Sequence, residues 1–199
     1  MSIPPWVPPS VLPESPARRP RADAERNRRR ILEAARGLIT ERGAEVQLPE
    51  VARAAGVGTG TVYRHFASRE LLVEALAELR FAEILEFAHT SCLPDREQGL
   101  ARYLWHVGEV LATDRGLSAA IESARRTYGS PPEGQMRGRL EAAVAELIGH
   151  AVQTRTVRAD CTVADVFMSV GALSATIRAG HGDWRRLLTL LLDGLRARP

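Results

Sequence analysis

The stretch from Pro49 to Phe66 reads PEVARAAGVGTGTVYRHF and decides the fold of the N-terminal part of the chain. Val51 and Ala55 recur at helical spacing, and Pro49 suits the first turn of a helix, where a backbone N–H has no partner in any case. Gly56 permits the positive φ that ends a helix without a clash, after which a helix resumes. Two short helices separated by a glycine turn are typical of a helix-turn-helix, whose second helix enters the major groove of DNA.

The second helix of this motif has a buried face and a polar face. Val62 and Phe66 stand four residues apart on the face that we expect to be buried. The other side chains offer hydroxyl, guanidinium and imidazole donors to phosphate oxygens and base edges, and the helix N-terminus adds partial positive charge. The candidate DNA contacts are Thr59, Gly60, Thr61, Tyr63, Arg64 and His65, with Arg64 and Thr59 best placed for base edges. By itself, this pattern also fits the solvated face of an ordinary helical hairpin.

The longer run from Ala24 to Leu76 resembles the DNA-binding domain of TetR-family transcriptional regulators. The matching segments are RILEAA at residues 30–35, Gly43, VARAAGV at 51–57, GTVYRHF at 60–66 and RELL at 69–72. The resemblance implies that Arg69 meets a phosphate at the start of the next helix. Gly58 replaces the family's usual Ser or Thr before the recognition helix, which is a small loss because Gly is an acceptable N-cap. Leu48 replaces a common capping Thr, which predicts a poorly capped preceding helix.

Composition and charge are those of a globular protein with a basic N-terminal part. The chain has 199 residues, 45% of them hydrophobic and 26% charged, which is enough for one domain or two small ones with a sizeable core. Residues 1–80 hold 13 Arg and 10 Asp or Glu, whereas residues 81–199 hold 14 of each. The positive excess therefore coincides with the helix-turn-helix, as expected for a nucleic-acid footprint.

Cysteine usage and hydropathy exclude several other classes of protein. Cys92 and Cys161 are too few for a disulfide framework and have no partners at metal-ligand spacing, so we expect two reduced thiols in or near the core. We expect no metal and no cofactor. No apolar run is long enough to span a membrane, and the N-terminus lacks the apolar core of a secretory signal. These features predict a cytoplasmic protein without a membrane partner.

The pattern along the chain predicts three regions. Residues 1–22 form a Pro- and Arg-rich arm that we expect to be extended or disordered. The arm is either a flexible, solvent-exposed segment or one that follows the DNA backbone or enters the minor groove. Residues 23–68 form the helix-turn-helix head, whose first helix is capped by Asp23 and ended by Gly43. Residues 69–199 form a helical body for effector binding and dimerisation.

The body is predicted to contain only helices, which makes the whole chain all-α with about nine of them. Ser68 caps a long helix that extends to about His89. Thr162 and Asp183 cap the last two helices. The expected bounds after the long helix are residues 95–112, 117–128, 133–153, 163–179 and 184–196. In the family that the head resembles, the long helix links head to body and transmits the ligand state.

The last two helices have more apolar surface than we expect a single chain to bury. The final helix has leucines on more than one face, and small residues at 171–175 allow another helix to approach closely. Burial within a single chain is one explanation. The other, which we favour, is a two-fold homodimer through the last two helices, because symmetric dimers are common and helix-turn-helix proteins usually read two half-sites.

The resemblance also implies a ligand pocket between the middle helices of the body. Aromatic, Met and His side chains suit an apolar effector with one polar end. The candidate lining residues are Tyr103, Trp105, His106, Tyr128, Met136, Phe167 and Met168. Each of them is also an ordinary core residue at helical spacing. The pair Arg125 and Arg126 either faces an acidic effector or is solvated surface.

Together these features indicate a dimeric, ligand-responsive transcriptional regulator, a repressor that a small-molecule effector of unknown identity releases from a palindromic double-stranded DNA operator. An effector-blind or activating regulator is the alternative within DNA binding. A helical carrier or enzyme with a vestigial head is the alternative from another class. The sequence contains no Gly-rich phosphate loop, nucleophile elbow or metal-binding His pair on a helix, so we expect no catalytic residues and no enzymatic activity.

Overall fold

The computed structural model describes residues 18–43, 45–126 and 132–197. Within these ranges it contains nine α-helices, one π-helical turn and no strand, which confirms the all-α prediction. The helices are α1 (Arg18–Arg42), α2 (Leu48–Ala55), α3 (Thr59–His65), α4 (Arg69–Phe87), α5 (Gly99–Thr113), α6 (Arg115–Arg125), α7 (Gly134–Gln153), α8 (Val163–Ala179) and α9 (Trp184–Leu195). The π-helical turn, Ala88–Cys92, extends α4.

The helix-turn-helix lies where the sequence predicts it, in α2 and α3. Gly56 ends α2 with φ at +62° in the left-handed region, which a residue with a Cβ rarely adopts. Gly58 is the extended N-cap residue of α3. The prediction that α2 is poorly capped is wrong, because the Glu50 carboxylate accepts the Gln47 N–H at 2.9 Å. Leu48 itself is buried and packs in the core instead of capping.

The first helix begins earlier than its sequence signals suggest. Asp23 was expected to cap α1, but the helix already begins at Arg18, and Asp23 forms an ion pair with Arg26 along the helix. Pro20 falls in the first turn, where its missing N–H costs no hydrogen bond. The end of α1 agrees with the prediction, since Gly43 follows it at φ +80°. Residues 1–17 of the predicted arm lie outside the described residues.

The caps of the body helices follow the sequence closely, with one exception. The Ser68 hydroxyl accepts the Leu71 N–H at 3.3 Å, and the Thr162 hydroxyl accepts the Asp165 N–H at 3.2 Å. The Asp183 carboxylate accepts two N–H groups at the start of α9, which confirms this cap as well. The exception is α5, which was expected from residue 95 but begins at Gly99. Asp95 instead caps the turn before it by accepting the Gln98 N–H at 3.0 Å.

The core runs without interruption from the head into the body. Helix α4 packs on α1, α6 and α7, and α1 packs on both α2 and α6. Cys92 and Cys161 are both buried and unbridged. No helix in the described part of the chain is long and apolar enough to cross a membrane.

Helix α1 is held against α6 by a close approach at one glycine. A Cβ built on Gly116 would lie 2.3 Å from the Ile39 carbonyl oxygen, a backbone atom that cannot move without moving α1. The same junction contains an ion pair between Arg36 on α1 and Asp114, with the Arg36 and Asp114 side-chain atoms 3.0 Å apart. The helix that carries the head is therefore fitted closely to the body.

We expect Gly116→Ala to destabilise the protein by about 1–3 kcal/mol, because the added methyl group overpacks the α1–α6 junction. Gly138→Ala on α7 is the matched control, since its Cβ would meet nothing within 4 Å and Ala favours a helix. Urea denaturation of both variants checks this. Equal midpoints for the two variants would show that the junction is looser than the structure indicates.

Candidate nucleic-acid interface

Helix α3 presents its polar side chains to solvent and its two apolar side chains to the core. Val62 is fully buried and Phe66 is 2% exposed, so the rotation of α3 about its axis is fixed. Tyr63, the residue after Val62, is 49% exposed. Of the predicted DNA contacts, Thr59, Gly60, Tyr63 and Arg64 are exposed, and Thr61, His65 and Arg69 are half-buried. The geometry brings these residues to one end of the head, and their contact with DNA stays a prediction.

Two arginines of α1 hold the helix-turn-helix in place, and the sequence analysis missed this role. The Arg30 guanidinium donates to the Ala55 carbonyl oxygen at 2.6 Å and to the Gly56 carbonyl oxygen at 3.3 Å. The Arg28 guanidinium lies 4.9 Å from the centre of the Phe66 ring, a cation–π contact. The turn between α2 and α3 is thus fixed from α1. One indication of this role was present in the sequence: Arg30 is the first residue of the segment RILEAA, which belongs to the family resemblance of the head.

The predicted phosphate contact of Arg69 lies at the start of α4, where a carboxylate is also present. Hydrogen bonds from the Glu70 backbone N–H, and then from the Ser68 hydroxyl, lower the pKa of the Glu70 carboxyl. This carboxylate therefore uses part of the anion-binding capacity of the helix N-terminus. A phosphate at this position would rely on the guanidinium of Arg69.

A second candidate site is a cavity of about 180 Å³ in the body. It lies between α4, α5, α7 and α8. Its described lining residues are Arg80, Phe81, Ile84, Tyr103, Val107, Leu111, Pro132, Leu140, Val166, Phe167, Val170, Gly171 and Ser174. Tyr103 and Phe167 are the predicted effector contacts that line it.

The other described effector candidates lie elsewhere. Trp105 packs against Trp184, with ring centres 5.8 Å apart, and His106 stacks on Phe87 at 3.7 Å. Burial lowers the pKa of His106, which favours a neutral imidazole.

Two methionines were also predicted to line the pocket, and the structure places neither there. Met136 faces a separate groove between α4 and α7. Met168 is 69% exposed on α8. Tyr128 lies outside the described residues.

Arg80 is the charged residue of the cavity wall, and the sequence analysis did not single it out. Arg80 is 1% exposed, and its guanidinium donates a hydrogen bond to the Ser118 hydroxyl at 2.9 Å. The available signal was its register, because position 80 falls four residues after Leu76 and four before Ile84 on the buried face of α4. Burial lowers the pKa of Arg80 to about 10, which leaves it protonated at neutral pH.

Of the two roles considered for the pair Arg125 and Arg126, only the solvated one is found, and only for Arg126. The Arg125 side chain is 8% exposed and binds Glu74, with its Nε 2.9 Å from a carboxylate oxygen. Arg126 is exposed. Neither residue lines the cavity. Among the described residues, no group of three or more His, Cys, Asp or Glu side chains is arranged to hold a metal ion.

Comparison with known proteins identifies relatives for both parts of the chain. Residues 31–76 match the family model "Bacterial regulatory proteins, tetR family", and residues 95–197 match "Transcriptional regulator SbtR-like, C-terminal domain". The crystal structure of a TetR transcription regulatory protein from Mycobacterium vanbaalenii is 34% identical. The match covers 89% of this chain and 99% of that one with a TM-score of 0.61. The crystal structure of the TetR transcriptional regulator SCO0520 from Streptomyces coelicolor is 29% identical. That match covers 86% of this chain and 99% of that one, with a TM-score of 0.63.

A curated relative matches only part of the chain. An HTH-type transcriptional regulator of Staphylococcus aureus is 38% identical over 68 residues, which is 33% of this chain and 35% of that protein. The chain therefore matches about a third of this relative's length.

We expect Arg30→Met to destabilise the protein by about 1–3 kcal/mol, because it leaves two carbonyl oxygens without their charged donor while it keeps the apolar stem. Arg29→Met is the matched control: Arg29 is the preceding residue and is exposed like Arg30, but the two hydrogen bonds to the turn come from Arg30, so its effect should be within about 0.5 kcal/mol. Thermal and urea denaturation measure both. Similar losses in the two variants would contradict the anchoring role of Arg30.

Proposed function

This chain belongs to the TetR family of bacterial transcriptional regulators and carries a helix-turn-helix DNA-binding domain, and we propose that it is a repressor released from its operator by a small molecule. The observation that carries this proposal is the solvent-facing polar side of α3, which the buried Val62 and Phe66 hold in a fixed orientation. A helix held in this way enters the major groove as a rigid unit.

The proposed DNA contacts divide by chemistry. Arg64 is exposed and can bind guanine O6 and N7 with two hydrogen bonds, and Thr59 can reach a base edge at the start of α3. The remaining donors position the helix on phosphates and carry less sequence information. These positioning residues are Gly60, Thr61, Tyr63, His65 and Arg69.

A homodimer through α8 and α9 would give the protein two heads for a palindromic operator. Met168 on α8 is 69% exposed and Leu190 on α9 is 51% exposed, although both lie on otherwise apolar helices. Gly171 and Ala175 are also exposed and small enough for a close helix approach. This surface suits a second copy of the chain. The dimer would act in the cytoplasm.

The contacts between head and body provide a route for the effector's influence. Arg36 on α1 binds Glu83 of α4 and Asp114 before α6, each at 3.0 Å. The Asp114 side chain is 6% exposed, so this pair is shielded on one side from solvent. A ligand in the body cavity that favours a different arrangement of α4 and α6 would also shift α1 and the head. Release then follows from the ligand's different affinity for the two states.

The alternatives make different predictions in a binding assay. An effector-blind or activating regulator binds its operator but is not released by any compound. A helical carrier or enzyme with a vestigial head binds DNA without sequence preference. Fluorescence anisotropy on DNA from upstream of the chain's own gene, with scrambled DNA as the control and at two salt concentrations, separates them. A specific complex at the higher salt supports sequence readout, because binding to phosphates alone weakens steeply with salt.

We expect Arg64→Ala to weaken specific DNA binding by about 10- to 100-fold, because one bidentate base contact contributes about 1–3 kcal/mol of discrimination. Arg139→Ala is the matched control, since Arg139 is an exposed arginine on α7 in the body and should leave binding unchanged. Circular dichroism checks that both variants fold. Specific binding that survives in folded Arg64→Ala would remove Arg64 from the base-reading set.

A further inference from the structure

We propose that the body cavity takes an amphipathic organic anion, a carboxylate with an apolar tail, and that Arg80 binds its charged end. This inference rests on the proposed function in that the bound anion would be the effector. It names a chemical class of ligand and the residue that selects it.

The greater part of the cavity wall is apolar. It is formed by aliphatic and aromatic side chains of α4, α5, α7 and α8, with a proline before α7. The apolar lining residues are Phe81, Ile84, Val107, Leu111, Pro132, Leu140, Val166, Phe167 and Val170. Contact with such a wall favours binding of a hydrocarbon or aromatic group, because apolar surface is removed from water. The apolar wall offers no hydrogen bonds to a ligand that is polar throughout.

Arg80 is the one charged residue among the described residues that line this apolar space. Arg80 lies on α4 between two turns of buried residues, and its side chain is fixed by the hydrogen bond to Ser118 at 2.9 Å. Among the described lining residues there is no carboxylate. A guanidinium in a dry site binds a carboxylate through two parallel hydrogen bonds, which is the strongest neutralisation available to it.

Two hydroxyl groups complete the polar part of the wall. Tyr103 on α5 is buried, and burial raises its pKa, so the phenol keeps the proton that it can donate. Ser174 on α8 is 8% exposed and lines the same cavity. A cation and two hydroxyl donors suit the oxygen atoms of an anion, whereas an amine would be repelled by Arg80.

Burial and three neighbouring charges act on Arg80. Desolvation is the main cause of the lowered pKa of Arg80, Asp114 opposes it, and repulsion from Arg125 and Arg36 adds to it. Asp114 is itself bound to Arg36, with the two groups 3.0 Å apart. An anion beside Arg80 would offset the repulsion from the two arginines.

Matched compounds test the charge preference in the wild-type protein. Straight-chain and phenyl-substituted carboxylates of roughly four to ten carbons are compared with the alcohols and amines of the same skeletons. Isothermal titration calorimetry on the full-length chain measures each dissociation constant. We expect at least one carboxylate to bind, and to bind about 10- to 100-fold more tightly than its alcohol and more tightly still than its amine. Equal binding across a series, tighter binding of the alcohol or amine, or no binding of any carboxylate up to about 10 mM would overturn the proposal.

Variants test the assignment to Arg80. Arg80→Gln should abolish the preference for the carboxylate while leaving binding of the alcohol unchanged. Arg102→Gln is the control, because Arg102 is a paired arginine of α5 that does not line the cavity and is not among the charges that shift the pKa of Arg80, and it should keep the preference. A preference that persists in folded Arg80→Gln would overturn the assignment.

A third variant keeps the proposal testable if Arg80→Gln does not fold. Val170→Phe fills the cavity from α8 without changing the charge, since Val170 is half-buried on the cavity wall. It should reduce carboxylate binding at least about tenfold. Unchanged binding in this variant would place the carboxylate elsewhere and overturn the proposal.

The DNA-binding assay separates this inference from the proposed function. Carboxylate binding that depends on Arg80 but leaves the DNA complex intact would support the site and contradict effector release. Release of DNA by a neutral or cationic compound, with no carboxylate bound, would support effector release and overturn the assignment to Arg80.

Discussion

The contact between α1 and α6 is the constraint on which the rest of the structure depends. Gly116 brings the two helices to a distance at which a methyl group would meet the Ile39 carbonyl oxygen, and the ion pair from Arg36 to Asp114 closes the same junction. Because α1 also fixes the helix-turn-helix through Arg30, a single helix joins the orientation of α3 to the packing of the body. Under the proposed function, a displacement of α6 or α4 would reach α3 through these contacts.

The sequence could predict those parts of the fold that depend on local chemistry. The caps Ser68, Thr162 and Asp183 use side chains within a few residues of the N–H groups they bind, and the start of α3 follows from Gly56 and its neighbours. Helix starts without a specific signal were missed. The first helix extends through a proline that its first turn tolerates, and α5 begins at Gly99, after a turn that the helical spacing from residue 95 had included in the helix.

The candidate sites were harder to predict because spacing shows which face a residue occupies but not which helix covers that face. Trp105 and Tyr103 both lie on α5, yet Tyr103 lines the cavity whereas Trp105 packs against α9. The bond from Arg30 to Ala55 joins residues that are 25 positions apart, and no local pattern marks it. Arg80 could have been recognised as a charge on the buried face of α4, but its role depends on helices that come later in the chain.

These arginines also change the meaning of the basic N-terminal part. The excess of positive charge in residues 1–80 was interpreted as a footprint for nucleic acid, but Arg28, Arg30, Arg36 and Arg80 bind groups within the protein. Their contacts within the protein account for these charges without DNA, although they still contribute to the long-range field. The argument for DNA binding therefore depends on the orientation of α3 more than on the count of charges. The same internal use of arginine, beside a cavity whose described wall is mostly apolar, is the basis of the anion site that we propose in the body.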